Sequence, residues 1–362
     1  MKKNKIFTIM LILLLNAFSL LSLYSALHKG GELTDKDIFT KQIIWIILGW
    51  SLVLIIYFVN YRIFYDLSIW LYFICLILLM MVAILGKIQM GAQRWIQIFG
   101  ITFQPSELAK LAAILIICRN FTKDRPPSAS LAKDFFNEVI LPFTPVFFLF
   151  LAIFIQPDLG TSLILIFLFM MMLLACGAKK RNIIIFFLII LLAIPLGWIL
   201  LKDYQKDRLL VFINPNSDPL GAGYTIIQSK IAIGSGRIFG KGFLSGTQNQ
   251  LNFIPARHTD FIFTVFAEEW GFAGCLILLA VYYLLLKIIL DTAKLVKDKY
   301  SYVLCIGIFS LFFIHIFINI SMILGLLPVV GLPLLFLSYG GSYTLINFIL
   351  IGIFLNIQKY VR

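Results

Sequence analysis

The chain has 362 residues, 61% of them hydrophobic and 13% charged, with a formal net charge of +13 and a mean hydropathy of +0.99. A soluble domain carries roughly 25% charged residues, and surface-to-volume scaling does not let a chain this apolar hide its side chains from water. A soluble fold is excluded, and the long apolar runs predict an all-α integral membrane protein whose helices satisfy their own backbone hydrogen bonds.

Apolar stretches that suit a bilayer span fall at about 6–26, 43–59, 67–86, 107–119, 139–155, 159–178, 183–201, 262–290, 301–324 and 335–357. They predict one polytopic domain over 1–362, a bundle of about ten transmembrane helices. The first run follows Met1-Lys-Lys-Asn-Lys5. It continues to about Ala26 with no small-residue cleavage site, so it reads as a retained helix and not a signal peptide. The fourth run is short, and becomes a span only by extending into polar residues.

Lysine and arginine set the orientation. With the N-terminus inside, cytoplasmic segments hold Lys2, Lys3, Lys5, Arg62, Arg119, Lys123, Arg125, Lys133, Lys179, Lys180, Arg181, Lys287, Lys294, Lys297, Lys299, Lys359 and Arg362. The short external loops hold Lys29, Lys36, Lys41, Lys87 and Arg94. This bias places both termini in the cytoplasm. It also accounts for the positive charge through contact with anionic lipid, with no nucleic acid required. The long polar stretch 202–261, between the seventh and eighth helices, then lies outside. A loop of that length is usually functional, and Tyr224–Ile233 within it suits a short interfacial helix.

Ionisable residues at membrane depth are costly and mark function. Four segments carry them or lie beside them, all toward the external side. In chain order the first is Gln104-Pro-Ser-Glu107-Leu-Ala-Lys110. Pro105 and Ser106 mark a helix start, and Glu107 and Lys110 at i, i+3 suit either a structural ion pair or a cavity in which Lys110 meets an anion. The second is Gln156-Pro-Asp158, where Asp158 either caps the next helix or contacts substrate or metal. The third is Arg257-His-Thr-Asp260. Continued as a helix, it places Thr264, Ala267, Gly271 and Gly274 on the face of Asp260, a small-residue stripe that suits a cavity or a packing seam equally. The fourth, Leu327–Ser342, is broken by proline and glycine and reads as an irregular cavity wall. His315, alone in the ninth helix, reads as a satisfied core residue. The five cysteines read as apolar packing residues.

Gly91-Ala-Gln-Arg-Trp95, Gln104-Pro-Ser-Glu-Leu-Ala-Lys110, Gln156-Pro-Asp-Leu-Gly-Thr161, Gly240-Lys-Gly with Gly246-Thr-Gln, His258-Thr-Asp-Phe-Ile-Phe263 with Ala267-Glu-Glu, and Leu337-Ser-Tyr-Gly-Gly-Ser342 occur together in one order. In that order and spacing they resemble the SEDS family, the shape, elongation, division and sporulation proteins that comprise RodA, FtsW and SpoVE. The combination is most similar to the RodA type. The resemblance covers nearly the whole chain. Two positions depart from it: Ala256, where relatives often carry Glu, and Arg237, where glycine is common.

The resemblance implies a peptidoglycan glycosyltransferase that polymerises lipid II on the outer face of the bacterial cytoplasmic membrane. Its implied partners are a class B penicillin-binding protein and an elongation complex with MreB, MreC and MreD. It singles out Asp260 as the catalytic base. Arg94, Glu107, Lys110, Asp158, Lys241, Arg257, His258 and Glu268 are then cavity-lining or substrate-binding candidates. No cofactor is firmly implied, although a divalent cation (Mg or Mn) held by Asp260 or by substrate would suit the chemistry. The alternatives are a lipid II flippase and a non-catalytic scaffold for a transpeptidase.

Overall fold

The computed structural model describes residues 2–29, 32–33, 35–89, 92–98, 101–123, 130–219, 221 and 223–360. Gly91 of the first motif and the basic residues Arg125 and Arg362 lie outside them. In chain order the described elements are α1 (Lys2–Leu27), β1 (His28–Lys29), β2 (Glu32–Leu33), α2 (Lys36–Phe58), α3 (Ile63–Leu85), β3 (Lys87–Gln89), β4 (Ala92–Ile98), β5 (Ile101–Phe103), α4 (Pro105–Thr122), α5 (Leu131–Phe135), α6 (Leu141–Ile155), α7 (Leu159–Ala175), α8 (Lys180–Leu200), α9 (Asp203–Ile213), α10 (Tyr224–Ser235), α11 (Thr247–Gln250), α12 (Ile262–Leu295), α13 (Lys299–Ile323) and α14 (Gly341–Tyr360). A π-helical turn, Phe136–Ile140, joins α5 to α6 in one helical run.

Among the described residues, eight helical runs are long and apolar enough to cross a membrane: those of α1, α2, α3, α5–α6, α8, α12, α13 and α14. The two remaining expected helices are α4, which carries charge, and α7, which has 17 residues. α8 exposes Leu192, Leu196 and Ile199 at 66–75% of their surface, as a helix bathed in lipid must. The protein is an all-α, multi-pass membrane protein, and among the described residues strands form two short antiparallel sheets, β1–β2 and β3–β4–β5.

Three expectations change. The 202–261 stretch holds α9 and α11 as well as the expected helix, which runs Tyr224–Ser235. The last helix begins at Gly341, not near 335, because Phe336 takes a positive φ of 55°, outside helical geometry, after a stretch already made irregular by Pro328, Gly331 and Pro333. The Arg94 motif lies on β4 of a small sheet.

The chain folds into two compact units that interleave in sequence. One comprises Met1–Leu52, Asp203–Ile288 and His315–Phe348; the other comprises Val53–Lys202, Ile289–Ile314 and Ile349–Arg362. In the first, α1 buries Ile12, Leu15 and Leu23 together with Ser19, Ser22 and Ser25. Those serines repeat every three residues, and small side chains at that spacing admit a neighbouring backbone. In the second, α4 is buried on all sides, from Pro105 to Cys118 apart from Leu108. A helix buried all round needs no amphipathic stripe, but any charge on it must be matched.

Candidate functional site

In the first unit Asp260 stands in a turn just before α12, half-buried. Three consecutive carbonyls of this turn are held by the irregular segment before α14 and by α13. The backbone N–H of Tyr339 donates to the His258 carbonyl at 3.0 Å. The Ser338 hydroxyl donates to that of Thr259 at 2.6 Å, and accepts the N–H of Leu334 at 2.8 Å. The Asn319 side chain donates to the carbonyls of Asp260 and Leu332 at 2.8 and 2.6 Å. The backbone under Asp260 is therefore fixed from three directions, which is how a site holds a reacting group in position.

Gly331, at φ +72°, lies against the carboxylate: a Cβ there would stand 3.5 Å from Asp260 Oδ2. The expected irregular wall is thus the wall beside Asp260. His315 on α13 is buried, with Nδ1 3.3 Å from the Pro333 carbonyl and 3.4 Å from the Tyr343 hydroxyl.

Arg257 and His258 flank the turn. Arg257 Nε donates to the Ala26 carbonyl at 2.6 Å, and its Nη1 donates to the Asn252 side chain. Burial lowers its pKa, while Asp35 works in the opposite direction. The His258 pKa is depressed first by burial and then by the Arg257 charge, against a smaller opposing effect of Asp35. Its ring lies 6.1 Å from that of Tyr339. The unfolded chain therefore takes up this proton first, at the ordinary value near 6.5. Stability attributable to the neutral imidazole is complete above that value and falls as pH drops through it toward the folded value. From pH 7 to 5 the wild type should lose more melting temperature than His258→Gln; equal losses would remove His258 as the titrating group.

The helical face expected to run from Asp260 to Gly274 does not exist. α12 starts at Ile262, and Gly271 has φ 62° and ψ −165°, which breaks it. The groups freed by the break bond to the Arg237–Gly242 loop. The N–H groups of Phe272 and Ala273 donate to the carbonyls of Arg237 and Ile238, both at 2.9 Å. The N–H groups of Lys241 and Gly242 donate to the carbonyls of Glu268 and Glu269 at 3.0 and 3.1 Å. Non-helical backbone is tolerated at this depth because protein re-satisfies it. Arg237, one of the two departures, takes a positive φ of 50°, the conformation glycine adopts most readily, and Ala256 takes 51°.

Two buried carboxylates hold this loop and the residues that follow it. Glu268 accepts from Lys241 Nζ at 2.6 Å, from the Thr247 hydroxyl at 3.2 Å and from the Gln248 N–H at 3.1 Å. Glu269 accepts from the Ser25 hydroxyl and from the backbone at Leu244 and Gly246. Lys241 and Glu268, expected to line a cavity, are joined to each other, and the Ala267-Glu-Glu motif is the clasp of this loop.

In the second unit Asp158 caps α7, taking the Thr161 N–H at 3.3 Å and its hydroxyl at 2.9 Å. Arg94 lies 3.7 Å from Asp158 and also donates to the Pro157 carbonyl. On α4, Lys110 Nζ lies 2.8 and 2.7 Å from the two oxygens of Glu107, with both side chains buried. Removing one member of such a pair leaves an unmatched buried charge, which costs about 3–5 kcal/mol. Lys110→Met should therefore destabilise the protein by that amount, and Glu107→Gln added to it should restore most of the loss. Equal melting points for wild type and the single variant would show the pair to be unimportant for folding.

Among the described residues no three His, Cys, Asp or Glu side chains group to hold a metal. A divalent cation on Asp260 would have to complete its oxygen shell from substrate and water. Ser25 and Asn319 are site-building residues outside the motifs, while Ser338 and Glu269 stand within them without being singled out as candidates. Their signal is a polar side chain inside or beside an apolar run.

The FtsW/RodA/SpoVE model, described as cell cycle protein, matches residues 5–362. Peptidoglycan glycosyltransferase MrdB of Escherichia coli K12 is 41% identical over 356 residues, covering 98% of this chain and 93% of MrdB. A solved chain from work on the structural coordination of polymerisation and crosslinking by a peptidoglycan synthase complex superposes with a TM-score of 0.81 at 28% identity, covering 97% of this chain and 96% of that one. A mutant of the rod shape determining protein RodA of Thermus thermophilus superposes with a TM-score of 0.73 at 26% identity, covering 98% and 97%. A whole-length model match and a relative above 40% identity, on a fold shared with RodA, establish that this chain belongs to the FtsW/RodA/SpoVE, or SEDS, family of membrane proteins.

Proposed function

We propose that this protein is a peptidoglycan glycosyltransferase that polymerises lipid II on the outer face of the bacterial cytoplasmic membrane during elongation and rod-shape maintenance. The observation that carries the reading is the clamped turn at Asp260 in a chain that aligns end to end with a peptidoglycan glycosyltransferase. The lysine and arginine bias supports cytoplasmic termini and an external 202–261 segment.

An α-linked pyrophosphate donor and a β-1,4 product require inversion at the anomeric carbon. Asp260 takes the proton of the acceptor 4-hydroxyl as its oxygen forms the new C–O bond, and the bond to pyrophosphate breaks on the opposite face. The leaving group needs positive charge more than a proton. Lys241 and Lys110 are each paired with a carboxylate. Among the described residues Arg257 hydrogen-bonds to a carbonyl and an amide and stands in no ion pair, so its charge is the more available to pyrophosphate. A divalent cation would supply further neutralisation. A class B penicillin-binding protein supplies crosslinking in this reading, and MreB, MreC and MreD complete the elongation complex.

A lipid II flippase is the second reading, favoured by the break in α12, since discontinuous membrane helices recur at transport sites. The test is the purified chain with its transpeptidase partner and lipid II, with polymer followed on gels and translocation followed in vesicles. Polymer formation in detergent, where no membrane separates two sides, is expected. Translocation without polymer would replace the reading with the flippase, and neither activity would favour a scaffold.

A further inference from the structure

The second unit contains a cavity of about 410 Å³ that the candidate site does not use. It lies where α2 ends, α3 begins, α12 ends, α13 begins and α14 ends, and Asn60, Tyr61, Arg62, Lys297, Asp298 and Tyr360 line it. The size suits a small ligand. The lysine and arginine bias assigns this end of the helices to the cytoplasm.

The walls are built, not incidental. Asn356 is fully buried. Its Nδ2 donates to the carbonyls of Ile56, Tyr57 and Val59 at 3.0, 2.8 and 2.5 Å, and its Oδ1 accepts the N–H of Tyr61 at 3.2 Å. One side chain thus fixes the whole α2–α3 turn. Across the cavity, Asp298 Oδ2 caps α13 by accepting the Ser301 N–H at 3.1 Å and its hydroxyl at 2.9 Å. It also takes the Tyr61 hydroxyl at 3.4 Å. The one lining carboxylate is therefore committed to three donors.

The lining cations are not committed. Arg62 is exposed and hydrogen-bonds the Tyr61 side chain, which, with Asp298 nearby, raises its pKa. Among the described residues neither Arg62 nor Lys297 stands in an ion pair. Lys359 adds a third positive charge at the rim, 5.5 Å from the Tyr57 ring and 5.8 Å from that of Tyr360. A planar guanidinium fork and a point-charge ammonium are groups that recognise phosphate.

We propose that this cavity binds a phosphate group, with Arg62 and Lys297 as its charged ligands. The phosphate belongs either to an anionic phospholipid headgroup or to a free soluble phosphate. The test is native mass spectrometry of the full-length protein released from detergent. It is titrated with phosphatidylglycerol or with diacylglycerol of the same chains, with and without millimolar inorganic phosphate. Arg62→Gln/Lys297→Gln should bind phosphatidylglycerol at least about tenfold more weakly, about 1.4 kcal/mol, with diacylglycerol binding unchanged. Phosphatidylglycerol that resists inorganic phosphate identifies the headgroup as the ligand, and displacement by inorganic phosphate identifies a free-phosphate site. Lys294→Gln/Lys299→Gln removes the same charge from residues outside the lining and should leave binding unchanged. Undiminished phosphatidylglycerol binding by the Arg62/Lys297 variant, equal weakening by both variants, or equal affinity for diacylglycerol would overturn the proposal.

Discussion

Asp260→Asn is expected to abolish glycan polymerisation, lowering the rate by about 10²–10⁴, the range that a positioned general base contributes. Asn keeps the size and shape of Asp, but it is uncharged, presents an amide donor in place of one carboxylate oxygen and cannot take the proton. The turn itself should survive, because the backbone carbonyls of residues 258–260 that anchor it remain in place. The substitution therefore separates chemistry from folding: an unchanged melting point and unchanged recovery with the transpeptidase partner should accompany the loss of polymer. The measurement is single-turnover conversion of lipid II by purified protein. Polymerisation within about threefold of wild type, far short of the loss expected of a general base, would remove Asp260 from the mechanism. A companion change at the wall, Ser338→Ala, deletes one anchor and leaves the carboxylate in place. It should lower the rate less than Asp260→Asn and should lower stability by about 1 kcal/mol.

The largest stability effect is expected from Gly240→Ala or Gly271→Ala. Gly240 has φ 80° and Gly271 φ 62°. A Cβ on Gly240 would overlap the Glu269 carbonyl, and one on Gly271 would overlap the Gly240 nitrogen. The new atom meets backbone, which cannot swing aside as a side chain does. Relief would require the loop to leave the break in α12, and four inter-segment hydrogen bonds would go with it. A loss of more than about 4 kcal/mol is expected, a size that single substitutions reach only through a definite structural lesion. Gly177 provides the control. It has φ 75°, but a Cβ added there would meet nothing within 4 Å, so Gly177→Ala should cost only the conformational penalty of about 1–2 kcal/mol. Thermal unfolding in detergent, followed by tryptophan fluorescence, compares the three. Equal midpoints for Gly240→Ala and Gly177→Ala would mean the plugged break is not a stability element.

Much of this molecule is legible from its residues one segment at a time. Hydrophobic run length places the membrane helices, and Pro105 with Ser106 places the start of α4. Glu107 and Lys110 are recognisable as partners because their spacing alone brings them together. Asp158 is recognisable as a cap because the capped N–H groups follow it directly. The break in α12 is a different case. A lone glycine within an apolar run is ordinarily tolerated in a helix, and what breaks α12 is a loop some thirty residues earlier that supplies replacement hydrogen bonds. Periodicity cannot report a partner at that distance. The same holds for Asn319 and Ser338, whose acceptors lie 59 and 79 residues away. The β3–β5 sheet is too short for alternation to announce it. Antiparallel pairing between β3 and β4 and between β4 and β5 defines it instead.

The break in α12 also changes how force travels through the molecule. An unbroken helix carries a push along its own axis, turn upon turn. Here a displacement arising on the far side of Ala273 leaves the helix through the carbonyls of Arg237 and Ile238. It crosses the loop and re-enters through the amides of Lys241 and Gly242 at Glu268 and Glu269. The loop bridges the break alongside the covalent chain, so the turn that bears Asp260 is coupled to the far half of α12 through Lys241 and Gly242 as well as through Gly271. Amide exchange at Phe272 and Ala273 should accordingly rise and fall with exchange at Lys241 and Gly242, as in a single joint.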